Sequence, residues 1–197
     1  KKGHKYVTLG VDLEESRVIF VTEGKGKAPL HNLQGHLENK GVEKEQIEQI
    51  SMDLSPSFIA GAAEAFPSAE ITFDRFHVVK LLNEAMNQVR MSERKEHDAL
   101  KGHKYTFLRN RENLTHKQEV SLAEMIGLYP TLGQAYRLKE LFNDLWSMPN
   151  KESAEAFLKQ WCEEVENSKI PAFMKFVKTV RSHWSGIIHF VETKITN

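Results

Sequence analysis

The sequence predicts an α/β front third followed by a mostly helical remainder, and three observations carry that prediction. Short β-rich runs alternate with helix-patterned segments as far as residue 74. Leu, Ala, Glu and Lys then recur at helical spacing from about residue 76 to 194. Two of the β-rich runs also stop abruptly on an aspartate, at the point where a helical pattern begins.

Residues 5–11 (KYVTLGV) and 17–22 (RVIFVT), separated by DLEES, predict a β-hairpin. After the EGKGKA loop, residues 29–39 predict a helix, with Pro29 near its start and Leu30, Leu33 and Leu37 on one face. Gly41 is placed to stop it. Residues 47–52 predict a strand and 55–66 a helix with Ser55 as N-cap and Pro56 as its first residue. Residues 69–73 (AEITF) predict another strand, ending on Asp74. Beyond it, helices are expected over 78–100, 115–128, 131–147, 151–167 and 171–194, and KYTFL at 104–108 is the one candidate strand. No internal repeat or low-complexity tract interrupts this order.

Composition narrows the function classes. Lys plus Arg and Asp plus Glu number 27 each, so no overall basic excess advertises a nucleic-acid partner, although a local patch can still bind one. The lone Cys162 excludes an intrachain disulfide and fits a reducing, cytoplasmic setting. No apolar run approaches the roughly 18 residues of a membrane span. The start at Lys1, with no initiator Met and a strand-like run almost at once, reads as a cut inside a longer protein.

The carboxylates at the strand ends are the strongest chemical signal. In open α/β sheets, ligands bind beyond the carboxyl ends of strands. Asp53 and Asp74 both stand there, after consecutive strands separated by one helix. If those strands are neighbours, the two acids face one cleft, and closely spaced carboxylates persist mainly when protonated, hydrogen-bonded or bound to a hard cation. An Asp before a helix also serves as a cap, and an Asp after a strand as a turn residue. His77 follows Asp74 by three residues, a spacing that suits metal binding, an oriented imidazole or simple local packing at a helix start. Asp12 reads as a turn residue of the hairpin.

Other residues read more plainly. Cys162 lies in a helical, core-like context, and no His or Cys has zinc-ligand spacing. Lys25, Lys27, Arg75, Lys80, Arg90, Arg94 and Lys95 are candidate phosphate contacts that surface charge explains as well. Trp146, Trp161 and Trp184 sit among apolar neighbours and read as core. EGKGK lacks the context and ending of a phosphate-binding loop.

Two stretches, Ile50-Ser51-Met52-Asp53-Leu54-Ser55-Pro56 and FDRFHVVKLLNEAMNQVR (Phe73 to Arg90), are joined by KKGHKYVTLGVD at the start and AYRLKELFNDLW at 135–146. Together they resemble, in order, the catalytic domain of bacterial insertion-sequence DDE transposases, in the subgroup whose full-length members carry a zinc-binding and helix-turn-helix region ahead of it. The resemblance implies an RNase H-like fold, a mixed sheet with flanking helices, interrupted by a mostly helical insertion. The expected parts are an α/β part over 1–77, an insertion over 78–178 and a closing helix over 179–197. It further implies three acids holding two Mg²⁺ or Mn²⁺ ions, DNA (element ends and target) as partner, a possible homo-oligomer, and DNA strand cleavage and transfer.

Asp53 matches the second Asp of that triad and is the metal ligand expected here. Asp74 and His77 match the Asp-x-x-His element of related families. In the family the first Asp lies on a strand just before KKGHKY and the Glu just after a TNG segment, so the resemblance implies a first Asp upstream of Lys1 and a Glu beyond Thr196-Asn197; Asp12 and Glu192, the nearest acids, do not match the motif. The 197 residues alone are therefore expected not to cut DNA, and the missing first strand is expected to leave a sheet edge exposed.

Two other classes remain in view. Gly10-Val11-Asp12-Leu13 fits the first strand of an actin-like ATPase or sugar kinase, but Glu14 and Glu15 would repel phosphate. A non-enzymatic nucleic-acid-binding module is the third.

Overall fold

The computed structural model describes residues 5–194, and these form two compact units. One comprises the described residues up to His77 and from Ser185 onward; the other is Val78–Trp184.

The first unit opens with a hairpin of β1 (Val7–Asp12) and β2 (Arg17–Glu23). Asp12 makes the turn: its Oδ1 accepts from the backbone N–H of Glu14 and Glu15 at 3.1 and 3.0 Å. A bulge between Gly10 and Val11 shifts the register. Helix α1 (Lys27–Glu38) lies against β2, and Leu33 approaches Gly10. Gly41, at φ +81°, follows the end of α1, and its N–H donates to the Glu38 carbonyl. Strand β3 (Gln49–Met52) leads into α2 (Pro56–Ala65), which packs against α1. Ser55 stands at the expected N-cap and Pro56 at the first helical position, but the Ser55 hydroxyl does not cap. It pairs instead with the Ser57 hydroxyl at 3.1 Å.

Strand β4 (Glu70–Phe73) pairs with β3 in parallel, Gln49 opposite Glu70 and Met52 opposite Phe73. A helix crossing over between two parallel neighbours is the βαβ unit. Where one mixed sheet was expected, the described residues contain two separate two-stranded sheets, β1-β2 and β3-β4.

Helix α9 (Trp184–Thr193) closes this unit on β4. A Cβ on Gly186 would lie 2.5 and 2.6 Å from the Phe73 ring and 2.9 Å from the Ile71 carbonyl oxygen. Only glycine lets the helix come this close. Gly186→Ala is therefore expected to destabilise the chain by about 1–3 kcal/mol through overpacking, read as a lower urea midpoint at unchanged slope.

Three sequence expectations need correction along the helical part. Helix α3 (Arg75–Arg94) stops six residues before the expected end at residue 100. KYTFL is not a strand but helix α4 (Lys104–Leu108). With Thr106 and Phe107 buried side by side, the segment needs the 100° turn of a helix rather than alternate faces. The expected single helix over 171–194 is broken at His183, dividing α8 (Pro171–Ser182) from α9. There His183 leaves helical geometry, at φ −123° and ψ 22°, and its Nδ1 contacts the Thr179 carbonyl at 2.8 Å.

Between these, α5 (His116–Leu128) begins on a capping box made by Thr115 and Gln118. Helix α6 (Pro130–Phe142) begins on Pro130, and α7 (Lys151–Ser168) on the Asn150 side chain. The core of this unit is an aromatic cluster. Phe142 meets Trp161 edge-on at 4.7 Å between ring centres, Phe176 at 5.5 Å and Trp146 at 5.7 Å. Trp161 is fully enclosed, and its indole N–H donates to the Leu138 carbonyl at 2.9 Å. Lys139, only 2% exposed, donates to the Arg109 carbonyl at 2.8 Å and pairs with Glu140 at 2.6 Å. Burial draws its ammonium below the usual lysine range, while Glu140 acts in the opposite direction.

Cys162 is buried beside this cluster, and burial pushes its thiol from an ordinary 9.0 up to about 11. The unfolded chain thus releases this proton first as pH rises. The stabilisation is whole below about pH 9 and is lost as pH climbs to about 11. The slope in that window is at most about 1.4 kcal/mol per pH unit, and Cys162→Ala is expected to flatten it in denaturation series from pH 8 to 11.

Candidate functional site

The parallel register places the carboxyl ends of β3 and β4 side by side, so Asp53 and Asp74, each one residue beyond its strand, follow the opposed pair Met52 and Phe73. The Asp74 N–H donates to the Met52 carbonyl at 3.0 Å, which carries the pairing up to the acid itself.

Each aspartate uses one oxygen locally. Asp53 Oδ1 accepts from the Ser55 N–H at 2.9 Å, a turn that starts the chain into α2. Asp74 Oδ1 accepts from the Phe76 N–H at 3.0 Å and so caps α3. Local roles of the kind the sequence allowed are therefore real for both acids, a turn at Asp53 and a cap at Asp74, and each fixes the side chain without consuming its second oxygen. Asp53 is half-buried, whereas Asp74 is 7% exposed.

His77 stands on the first turn of α3, its Nε2 3.9 Å from Asp74 Oδ2. That is an ion-pair distance rather than a hydrogen bond, and the Phe76 ring meets the imidazole edge-on at 5.5 Å. The structure thus gathers Asp74 and His77 and sets Asp53 on the adjacent strand.

A divalent ion asks for several oxygen ligands. Asp53 offers a carboxylate oxygen, Oδ2, beside the N-terminus of α2, and so fits as one of them. Among the described residues no group of three or more His, Cys, Asp or Glu is gathered as a metal site.

The candidate cations of the sequence divide. Lys27 forms an ion pair with Glu64, whose carboxyl this bond holds below the usual range, and Arg90 is buried against Asn87 and the Met91 sulfur. Lys25 lies over the Tyr6 ring at 4.1 Å. Lys80 stays exposed. At the β1-β2 turn, the amides of Glu14 and Glu15 bind Asp12.

One cluster escaped the sequence reading. His189, on α9, joins Thr72 Oγ1 at 2.8 Å through Nδ1 and Glu70 at 2.9 Å through Nε2. It bolts α9 to β4 two residues before Asp74. The available signal was a single histidine amid Ile187, Ile188, Phe190 and Val191, a polar group that such a face has to satisfy.

The DDE_Tnp_ISL3 family model, described as "Transposase", matches residues 1–197. The chain belongs to this transposase family. It is similar to the transposase for insertion sequence element IS1001 of Bordetella parapertussis, 27% identical over 195 residues, which cover 95% of the chain and 48% of that protein. It is also similar to the transposase for insertion sequence element IS1557 of Mycobacterium tuberculosis, 28% identical over 212 residues, which cover 93% and 47%. No solved structure matches. This transposase-family chain thus spans about half the length of the curated relatives it matches. No described helix is long and apolar enough to cross a membrane.

Proposed function

We propose that the chain is the catalytic portion of an insertion-sequence DDE transposase, with an RNase H-like part interrupted by a helical insertion. Its reaction is metal-dependent cleavage and transfer of DNA strands at element ends, in the cytoplasm, by a protein that works as a homo-oligomer. The observation that carries this reading is the placing of Asp53 and Asp74 at the carboxyl ends of two adjacent parallel strands.

In this reading Asp53 holds Mg²⁺ or Mn²⁺ through its open oxygen, and the other acids come from the rest of the polypeptide. Bound ions supply charge for activating the attacking oxygen and stabilising the leaving one. Asp53 is oriented for that role by the Ser55 amide. Asp74, fixed by the Phe76 amide, positions His77 at the entrance, where its imidazole orients or exchanges a proton with the DNA phosphate region.

The test uses full-length protein and DNA bearing the ends of its own element. Strand cleavage in Mg²⁺ or Mn²⁺ that vanishes with EDTA is the expected result, with none from the 197-residue chain by itself. Cleavage that persists in EDTA overturns the metal reading. Metal-dependent cleavage by the isolated chain overturns the assignment of the remaining acids to other segments.

A further inference from the structure

We propose that the surface around Tyr105, in the helical unit, takes a DNA strand, with Lys104 and Arg109 on its phosphates and the tyrosine ring on an unpaired base. From Ala99 to Arg111 the chain carries Lys101, Lys104, Arg109 and Arg111 and no Asp or Glu. In a chain whose charges balance overall, this is a local cationic stretch. Lys101 is committed to Asp98, which it pairs with at 2.9 Å. Lys104 and Arg109 are exposed, and among the described residues neither has a carboxylate within ion-pair distance. Both approach Tyr105 instead. The Lys104 ammonium lies 5.5 Å and the Arg109 guanidinium carbon 5.9 Å from the centre of its ring, and the tyrosine is 58% exposed.

The surface is held in place from beneath. Thr106 and Phe107, the next two residues of α4, are buried, and Phe107 meets Tyr136 edge-on at 6.3 Å, so Tyr105 is turned to solvent. The Arg109 carbonyl accepts from the enclosed Lys139 ammonium at 2.8 Å, and the Arg109 side chain donates to Gln118 Oε1 at 3.3 Å. Ring and cation are therefore placed before a ligand arrives, which lowers the ordering cost of binding.

The chemistry selects the partner. A nucleic-acid strand offers phosphates to the cations and a flat base to the ring. An acidic peptide would satisfy the cations and leave the ring bare, and an apolar partner would bury unpaired cations. A transposase-family chain meets the first of these as DNA. Trp146 and Trp161, larger rings for stacking, are enclosed in the core and leave Tyr105 to serve.

The proposal rests on the reading of the protein as one that acts on DNA, and not on the metal chemistry of Asp53. Its test measures binding, in EDTA, of full-length protein to a fluorescently labelled single strand from the end of its own element. Tyr105→Leu is expected to weaken binding about 5–150-fold, the worth of one stacked base, while Tyr105→Phe binds like wild type. On the matching blunt duplex, whose bases are already stacked, Tyr105→Leu is expected to bind like wild type. Lys104→Gln with Arg109→Gln is expected to reduce the slope of log affinity against log salt by about 1.4, the share of two phosphates on a single strand. A folding defect lowers affinity equally at every salt concentration and does not move that slope. Unchanged affinity and slope overturn the proposal. So does an equal loss on strand and duplex, a failure of phenylalanine to restore binding, or wild-type protein with no affinity for the strand. Cleavage assays separate the two readings. Binding lost in the variants while wild-type cleavage persists in EDTA counts against the metal reading alone, and binding kept in the variants while wild-type cleavage needs metal counts against this surface alone.

Discussion

Full-length protein carrying Asp53→Asn is expected to lose about 10³-fold or more of its strand-cleavage rate, because removing a metal ligand forfeits several kcal/mol of transition-state stabilisation. The substitution is nearly silent for the fold. An asparagine oxygen still accepts from the Ser55 N–H, so the turn between β3 and α2 survives and the denaturation midpoint stays close to wild type. The loss therefore falls on chemistry and not on structure. Gel assays of end cleavage in Mn²⁺ and Mg²⁺, beside urea denaturation of the same sample, read both quantities. Near-normal cleavage by Asp53→Asn would remove Asp53 from the catalytic set. His77→Ala supplies the contrast. With an ion-pair spacing to Asp74 and no bond into the sheet, it is expected to cost about 10–100-fold in rate at unchanged stability.

The second large effect is on stability. Trp161→Ala is expected to destabilise the helical unit by about 3–5 kcal/mol. The indole is fully enclosed between Phe142 and Phe176, and its N–H satisfies the Leu138 carbonyl. Truncation therefore opens a cavity and strips two edge-to-face contacts and a buried hydrogen bond at once. Trp161→Phe keeps most of the volume but not the donor, so it is expected to lose less, and the difference between the two variants isolates the packing part. Chemical denaturation followed by far-ultraviolet circular dichroism measures both, and a cost below about 1 kcal/mol for the alanine variant would show that the cluster reorganises to fill the space.

Much of this was legible before any coordinates. Ser55-Pro56 marks a helix start through local chemistry, and α2 begins there. The hairpin was legible in DLEES because Asp12 satisfies the turn by itself. Asp53 and Asp74 were legible as candidates because both follow consecutive strand patterns at their carboxyl ends, where open α/β sheets bind ligands. What misled was short-range ambiguity. KYTFL has the composition of a strand, yet it is a helix because its buried residues are adjacent. The 171–194 pattern continues through His183 because both helices on either side are amphipathic, and periodicity registers the faces but not the bend.

The sequence alone determined the kinds of most elements and many of their ends. Those follow from rotamer, capping and turn preferences, which act over a few residues. Only the tertiary structure decided that β3 and β4 are parallel neighbours, so that the two acids follow opposed residues. It alone joined His189 to Thr72 across 117 positions of chain. Such pairings depend on which surfaces bury each other once loop entropy has been overcome, and no local run of residues specifies its distant partner.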